Sequence, residues 1–419
     1  MTRRIALVLA ASGVLLAAAI LTTAALASPP GPQAKPTTRD VCAGLCPYAS
    51  IQAAINASAD GDIIRVAGSP GSVYAERLVI TKTLQILGGF SGPSGPNPWQ
   101  RNVAAYATVI DGQNSGTVVS FSAGAATFEG FTVTGGHADV DGGGILIEGA
   151  SPLISGTTII SNNAVSSGGG VAAHGGAASL VNSTIMSNTA MGGGGLLLAD
   201  GANTELLNTT VANNQAYLFG GGLLIVNSAS PRMEGCLIRA NRAPSGGGIQ
   251  TFDALGTLTN SQVTENAAQS GFGGGISLKT SSLTIESSSI LSNTASLDGG
   301  GIMIDSSAPA MDNCTIRANH ARKGGGVYVV NSLGILTGNT ILANVAEDGS
   351  GGGIALDGSA PTLDANSVIG NIAAQSGGGI DIRGRYCPTE LCDNPASATI
   401  VTRFSAASVS LSFPVCHTP

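Results

Sequence analysis

Asp357, Asp381 and Arg383 are the residues of this chain best placed by type to do acid–base chemistry, with Asp305 further away. Grouped carboxylates can hold a calcium ion beside a basic side chain that abstracts a proton, or can split a glycosidic bond as a pair of acids. The competing reading is a solvated face whose charges balance. That reading is preferred, because surface charges are common and no motif frames these three residues. His137, His174, His320 and His417 are too dispersed along the chain to form a metal site, and no CxxC or Cys/His spacing suggests zinc. Neither a metal nor a cofactor is expected.

What would position the three candidates is a repeat. A glycine triplet followed by an aliphatic residue ends at Gly144, Gly170, Gly195, Gly222, Gly248, Gly275, Gly301, Gly326, Gly353 and Gly379, at intervals of 25 to 27 residues. Self-similarity at such a period marks a solenoid, in which each unit buries its apolar face only against its neighbours. The residues after each triplet alternate, with inward aliphatics such as Ile145 and Ile147 or Ile302 and Ile304. Their outward partners run from Leu146 and Glu148, through Ala172 and His174, to Tyr328 and Val330, Ala355 and Asp357, and Asp381 and Arg383. That outward row is the expected groove, and acids gather only toward its C-terminal end.

A second marker is asparagine. Aligning the units places Asn162, Asn188, Asn214, Asn241, Asn266, Asn293, Asn319, Asn344 and Asn371 in one column, each followed two residues later by alanine. Three residues before each stands a β-branched aliphatic, such as Ile159, Ile185 or Val211. An amide that recurs at a turn supplies inward donors and acceptors to the backbone and can bond its own copies along the axis, which predicts a structural ladder. Each unit reads as two or three short strands separated by glycine turns, with no sustained helical period. The expected fold is all-β: a right-handed parallel β-helix of about 26 residues per coil over residues 45–385. The apolar spacing of Ala49 to Asn56 predicts a helical cap at its N-terminal end. Ten copies without helices exclude phosphate-binding glycine loops.

The ends carry different signals. Met1-Thr2-Arg3-Arg4 precedes an apolar run from Ile5 to Ala27 that closes on Ala25-Leu26-Ala27. This predicts a secretory signal peptide over residues 1–27, with a Pro-rich linker over 28–44 and no membrane span in the mature chain. Residues 386–419, with Cys387, Cys392 and Cys416, are expected to form a C-terminal cap or tail. Cys42 and Cys46 are expected to staple the other end. Cys236 and Cys314 share one slot three units apart, about 14 Å at the usual strand spacing, and should be unpaired inward residues. A net charge of -7 and scattered basic residues exclude nucleic acid and offer little attraction to an acidic polysaccharide.

The run Tyr48-Ala49-Ser50-Ile51-Gln52-Ala53-Ala54-Ile55, the run Gly61 to Val66, Leu87 to Gly92, and Gly130 to Gly136 resemble the opening of bacterial right-handed parallel β-helix repeat proteins of the pectin-lyase-like superfamily. The later units, T-I-x-x-N-x-A followed by GGGI, are similar both to these and to the polymorphic outer membrane protein repeats of chlamydiae. The resemblance implies the fold over roughly residues 45–385 and leaves activity open, because the superfamily holds lyases, hydrolases and adhesins. The glycosidase signatures G-H-G and R-I-K do not occur. The expectation is therefore an exported, non-enzymatic β-helix, secreted or at the cell surface. It would be a monomer with a structural or adhesive role, bound to a polysaccharide or another surface protein. The alternative is a polysaccharide lyase or glycoside hydrolase centred on Asp357, Asp381 and Arg383.

Overall fold

The structure, a computed structural model, describes residues 35–68, 73–94, 97–383 and 409–412. The expected signal peptide, most of the Pro-rich linker and Cys387, Cys392 and Cys416 lie outside the described residues. The described residues from 37 to 383 form a parallel β-solenoid in which successive coils stack strand on strand. A representative coil contains Ile145–Glu148, Leu153–Ser155, Thr158–Ile160 and Asn163–Ala164. Each of these pairs in parallel with the matching strand one coil on: Ile145 with Val171, Ile154 with Leu180, Ile159 with Ile185, and Asn163 with Thr189. Inward residues of every coil are thereby stacked on their counterparts, and the aliphatic columns form one continuous core. Each fully buried aliphatic side chain contributes about 1.5–3 kcal/mol.

Four sheets result, of thirteen, ten, thirteen and twelve strands, where the sequence reading allowed two or three strands per unit. The additional sheet is built mostly from two-residue strands just after the asparagine column, with Thr189–Gly192 and Gln215–Phe219 longer. Asn163 N donates to Gly136 O and Val165 N to Ala138 O, so the short stretch is held in register by its neighbour coil. Periodicity in the sequence cannot announce a strand only two residues long.

The asparagine side chains are continuous inside this corner. Asn162 Nδ2 donates to Asn188 Oδ1 at 3.1 Å and to Val133 O at 3.1 Å, and the same Oδ1 accepts from Asn162 N at 2.9 Å. The pattern repeats coil by coil to Asn344 Nδ2, which donates to Asn371 Oδ1 at 2.9 Å. Gly136, in the equivalent slot of the preceding coil, donates its N–H to Asn162 Oδ1. The residue before each asparagine adopts the left-handed conformation, as at Ser161 with φ 56° and Ser187 with φ 55°, and this turns the amide inward.

Each glycine of a triplet answers a different constraint. Gly142 has φ 70°, Cβ on Gly143 would strike Asn163 O, and Cβ on Gly144 would lie 2.7 Å from Gly170 O and 2.9 Å from Asn162 Nδ2. The triplet and the asparagine column are thus two sides of one tight corner.

A second inward polar column stands five residues before the asparagines: Thr157, Ser183, Thr209, Cys236, Ser261, Ser288, Cys314, Asn339 and Asn366. Cys236 N donates to Ser261 Oγ at 3.0 Å, and Cys314 N donates to Asn339 Oδ1 at 2.9 Å. Both thiols are free and buried, and burial pushes each of them up to about 11. They serve as small inward side chains, protected from thiolate chemistry.

At the N-terminal end, helix Ile51–Ala57 buries Ile51, Ala54 and Ile55 against the first coil. Glu76 accepts from Ser50 Oγ, Ile51 N and Gln52 N at one end of the helix. Lys82 Nζ donates to Ile55 O, Asn56 O and Ser58 O at the other. Opposite charges thus sit where the helix dipole and its unpaired backbone groups favour them. Strand Thr38–Val41 pairs in parallel with Ile63–Ala67, so regular structure begins inside the stretch read as linker. Asp62 joins it to the coil, accepting from Thr37 N, Ala59 N and Arg39. Cys42 and Cys46 form a disulfide. At the far end Val409–Ser412 adds a parallel strand to Ile380–Arg383. No helix among the described residues is long and apolar enough to cross a membrane.

Candidate functional site

The outward row beside the glycine triplets is not an open groove, and this corrects the sequence reading. The first outward position of each strand is buried from Ala172 through Leu197, Leu224, Gln250, Ser277, Met303, Tyr328 and Ala355 to Asp381. The cover comes from the residue immediately before each triplet, a row that reads Asp141, Ser167, Gly192, Phe219, Ser245, Phe272, Asp298, Lys323, Ser350 and Ser376. Chain between the asparagine corner and the triplet folds over the strand: Cβ placed on Gly192 would meet Leu224 Cδ2 at 2.7 Å. The second outward position reaches the surface at Glu148, Lys279, Asp357 and Arg383 and is buried at Ala199.

Asp357, Asp381 and Arg383 do come together, in a crevice shared with Lys323, Tyr328 and Ser350 that leaves room for about one water. Parallel register sets Asp357 opposite Arg383 and Ala355 opposite Asp381 on adjacent coils. Asp381 is only 2% exposed. Its Oδ1 accepts from Ser376 Oγ at 2.9 Å, and its Oδ2 accepts from Arg383 Nε at 2.8 Å. Arg383 Nη2 in turn donates to Ser350 Oγ, and the hydroxyls of Ser350 and Ser376 lie 2.9 Å apart. Two charges and two hydroxyls therefore close a ring in which each polar group is engaged.

Asp357 stands outside that ring and is exposed; its Oδ2 accepts from Tyr328 OH at 3.3 Å. Burial, then the Asp357 and Asp298 charges, hold the Tyr328 phenol well above its ordinary range, so it donates without ionising. Arg322 pairs with Asp298 at 3.1 Å beside the crevice, and this hydrogen-bonded carboxylate raises the guanidinium further. Asp305, on the same face, accepts from Ser306 Oγ and does not line the crevice.

Ser350, Ser376 and Lys323 also belong to this crevice and its ring, and residue type alone does not single them out in the sequence. Their signal was their slot: each directly precedes a glycine triplet, one period from the next.

A second charged cluster lies toward the other end. His174 Nδ1 is 2.9 Å from Asp200 Oδ2, and its Nε2 is 3.1 Å from Asp141 Oδ2. Asp141 also accepts from Ser167 N, and Asp200 from Asn227 Nδ2. Hydrogen bonds from His174 and Asn227 hold the Asp200 carboxyl below the usual carboxylate range. The two carboxylates take opposite nitrogens of one ring, so they clip three coils together and do not converge on a common point. Among the described residues, no group of three His, Cys, Asp or Glu side chains is placed to hold a metal ion.

Residues 115–282 and 269–391 match the family model described as right-handed β-helix region. Two solved structures are similar in chain course. One is the deglycosylated pectin methylesterase from Aspergillus niger, 12% identical, with 67% of this chain and 86% of that chain covered and a TM-score of 0.37. The other is pectate lyase Pel9A, 15% identical, with 81% and 80% covered and a TM-score of 0.38. A search of curated proteins found no match.

Proposed function

The chain belongs to the right-handed β-helix family, and from that premise we propose that it is an exported protein that works by binding. Its role is structural or adhesive, outside the cell or at the surface, with a polysaccharide or another surface protein as partner. The observation that carries this reading is the closed ring at Asp381. A general base needs a free lone pair aimed at a substrate proton, and a calcium ligand needs a free oxygen. Both oxygens of Asp381 accept hydrogen bonds from side chains of this chain, and it is 2% exposed. Asp357 alone does not make the pair of acids that glycoside cleavage requires.

Export is supported by the basic start Arg3-Arg4, the apolar run from Ile5 and the small residues Ala25 and Ala27. The Cys42–Cys46 disulfide agrees with an oxidising compartment. Reducing-sugar and unsaturated-product assays over a panel of neutral and acidic polysaccharides should show no turnover, and Asp381→Ala should leave that unchanged. Turnover abolished by Asp381→Ala would overturn the proposal in favour of a lyase or hydrolase at Asp357, Asp381 and Arg383. Fractionation of the producing cell should place the protein outside the cytoplasm.

A further inference from the structure

Along the corner between the asparagine column and the glycine triplets, four of five successive coils expose apolar side chains, and the coil of Asn241 between them exposes Arg242. The members of this apolar stripe are Val165, Met191, Tyr217, Leu218, Phe219 and Phe272, each between 37% and 55% exposed. The centre protrudes for a reason visible in the register. Ala190 pairs with Ala216, but Gly192 pairs with Phe219, so the coil of Asn214 holds an additional residue that bulges outward. Phe219 is braced from below by Phe252, edge to face at 5.3 Å. Beside the bulge, the next coil is recessed: Pro244 and Ser245 are half-buried there. Phe272 follows one coil further on.

At these exposures the six side chains present on the order of 450 Å² of apolar surface, comparable to the largest patch of a typical monomer, which is often functional. With the half-buried Val226 and Phe252 and a polar rim, the stripe approaches the roughly 800 Å² per partner of a stable interface.

We propose that this stripe is the interface of a symmetric dimer, with a second copy of this chain as its occupant. The sequence alone suggested a monomer; the stripe exists only once the coils are stacked. A two-fold axis between the coils of Asn214 and Asn241 satisfies four features together. The Tyr217–Phe219 bulge of each copy enters the Pro244–Ser245 recess of the other. Met191 meets Phe272, a thioether against a ring. Val165 falls opposite the coil of Ser296 and Leu297. Exposed Asp139, three coils to one side of the bulge, comes opposite Arg322 and Lys323, three coils to the other side of the recess. Isologous pairing therefore joins apolar to apolar and acid to base.

A sugar chain fits the stripe less well. Its polar neighbour Ser245 is occupied, donating to Phe272 O and accepting from Phe272 N. A lipid surface is disfavoured by Asp139 and Asp141 at one end.

The test is sedimentation velocity of the purified chain over a concentration series, with thermal melts run in parallel. The parent should sediment as a dimer at about 100 μM, and Leu218→Asp should weaken association at least about tenfold while melting as the parent does at dilutions where both are monomeric. Asp139→Lys should weaken it less, and adding Lys323→Asp should restore it, which fixes the antiparallel arrangement. A monomeric parent at that concentration overturns the proposal. So does a dimer indifferent to Leu218→Asp, or a stripe whose mutation abolishes polysaccharide binding by a monomer. None of these outcomes bears on the turnover assays, so the dimer and the proposed function fail separately.

Discussion

Inside the solenoid, the asparagine column makes the same bonds in coil after coil; outside it, the ring of Asp381, Arg383, Ser350 and Ser376 occurs once. Both are hydrogen-bonded polar networks that depend on parallel register, the inner one buried and the outer one part-buried. The inner one closes a corner needed by every coil, whereas the outer one seals a single crevice near the last coils. In a solenoid, interactions that repeat set the stability of the array, and those that occur once are free to vary without unstacking it.

Removing the inner network should therefore cost most. Replacing Asn266 and Asn293 together by Ala orphans several main-chain groups, among them Asn241 N, Ile238 O and Val263 O. At about 1–3 kcal/mol for each unsatisfied buried group, the double variant should lose about 4 kcal/mol or more. A thermal melt followed by far-UV circular dichroism would show this as a clear fall in Tm, and an unchanged melt would mean that the column is ornamental.

The outer ring should matter less and more locally. Asp381→Asn keeps a partner for Ser376 but removes the charge facing Arg383, whose side chain is 42% exposed and can turn to water. A loss of about 1 kcal/mol is expected. In hydrogen exchange the faster amides should be confined to the coils of Ser350 and Ser376. Loosening that spreads to the coil of Asn266 would break the distinction between the two networks.

The smallest effect is expected where the solenoid starts, and its signature is a dependence on acid pH. Hydrogen bonds from Ala59 N and Thr37 N, then the Arg39 guanidinium, outweigh burial and hold the Asp62 carboxyl below its ordinary value of 3.8. A depressed carboxyl stabilises the fold above its unfolded pKa and loses that contribution as pH falls through the folded value. The parent chain should thus lose stability below about pH 4, while Asp62→Asn, already weaker at neutral pH, should lose less over that range. Parallel pH titrations of Tm would settle this; equal slopes would remove Asp62 from the account.

The inner network was legible because repetition writes it nine times over. Asn162 alone says nothing, but nine asparagines at a period of 25 to 27 residues, each followed by alanine two positions later, define a corner before any coordinates exist. Ser350 and Ser376 were less visible, since the row before the triplets also contains Asp141, Gly192, Phe219 and Lys323 and shows no common type. Their meaning lies in what they cover. Leu146, Ala172 and Asp381 were read as outward because strand alternation puts them on the outer face, and in that sense they are. Alternation cannot reveal that chain beside the triplets folds over that face.

Sequence by itself determined the fold class, the coil length, the aliphatic and asparagine columns and the helical cap, because each follows from local pattern repeated at a fixed period. Tertiary structure alone decided which outward residues stay buried, how Asp381 spends both of its oxygens, and that Val165, Met191, Tyr217 and Phe272 form one stripe. The physical reason is register: stacking coils in parallel brings residues about 26 apart within a few ångströms of each other. What such neighbours do to one another depends on a fold-back that strand alternation does not encode and on the direction in which a single inserted residue bulges.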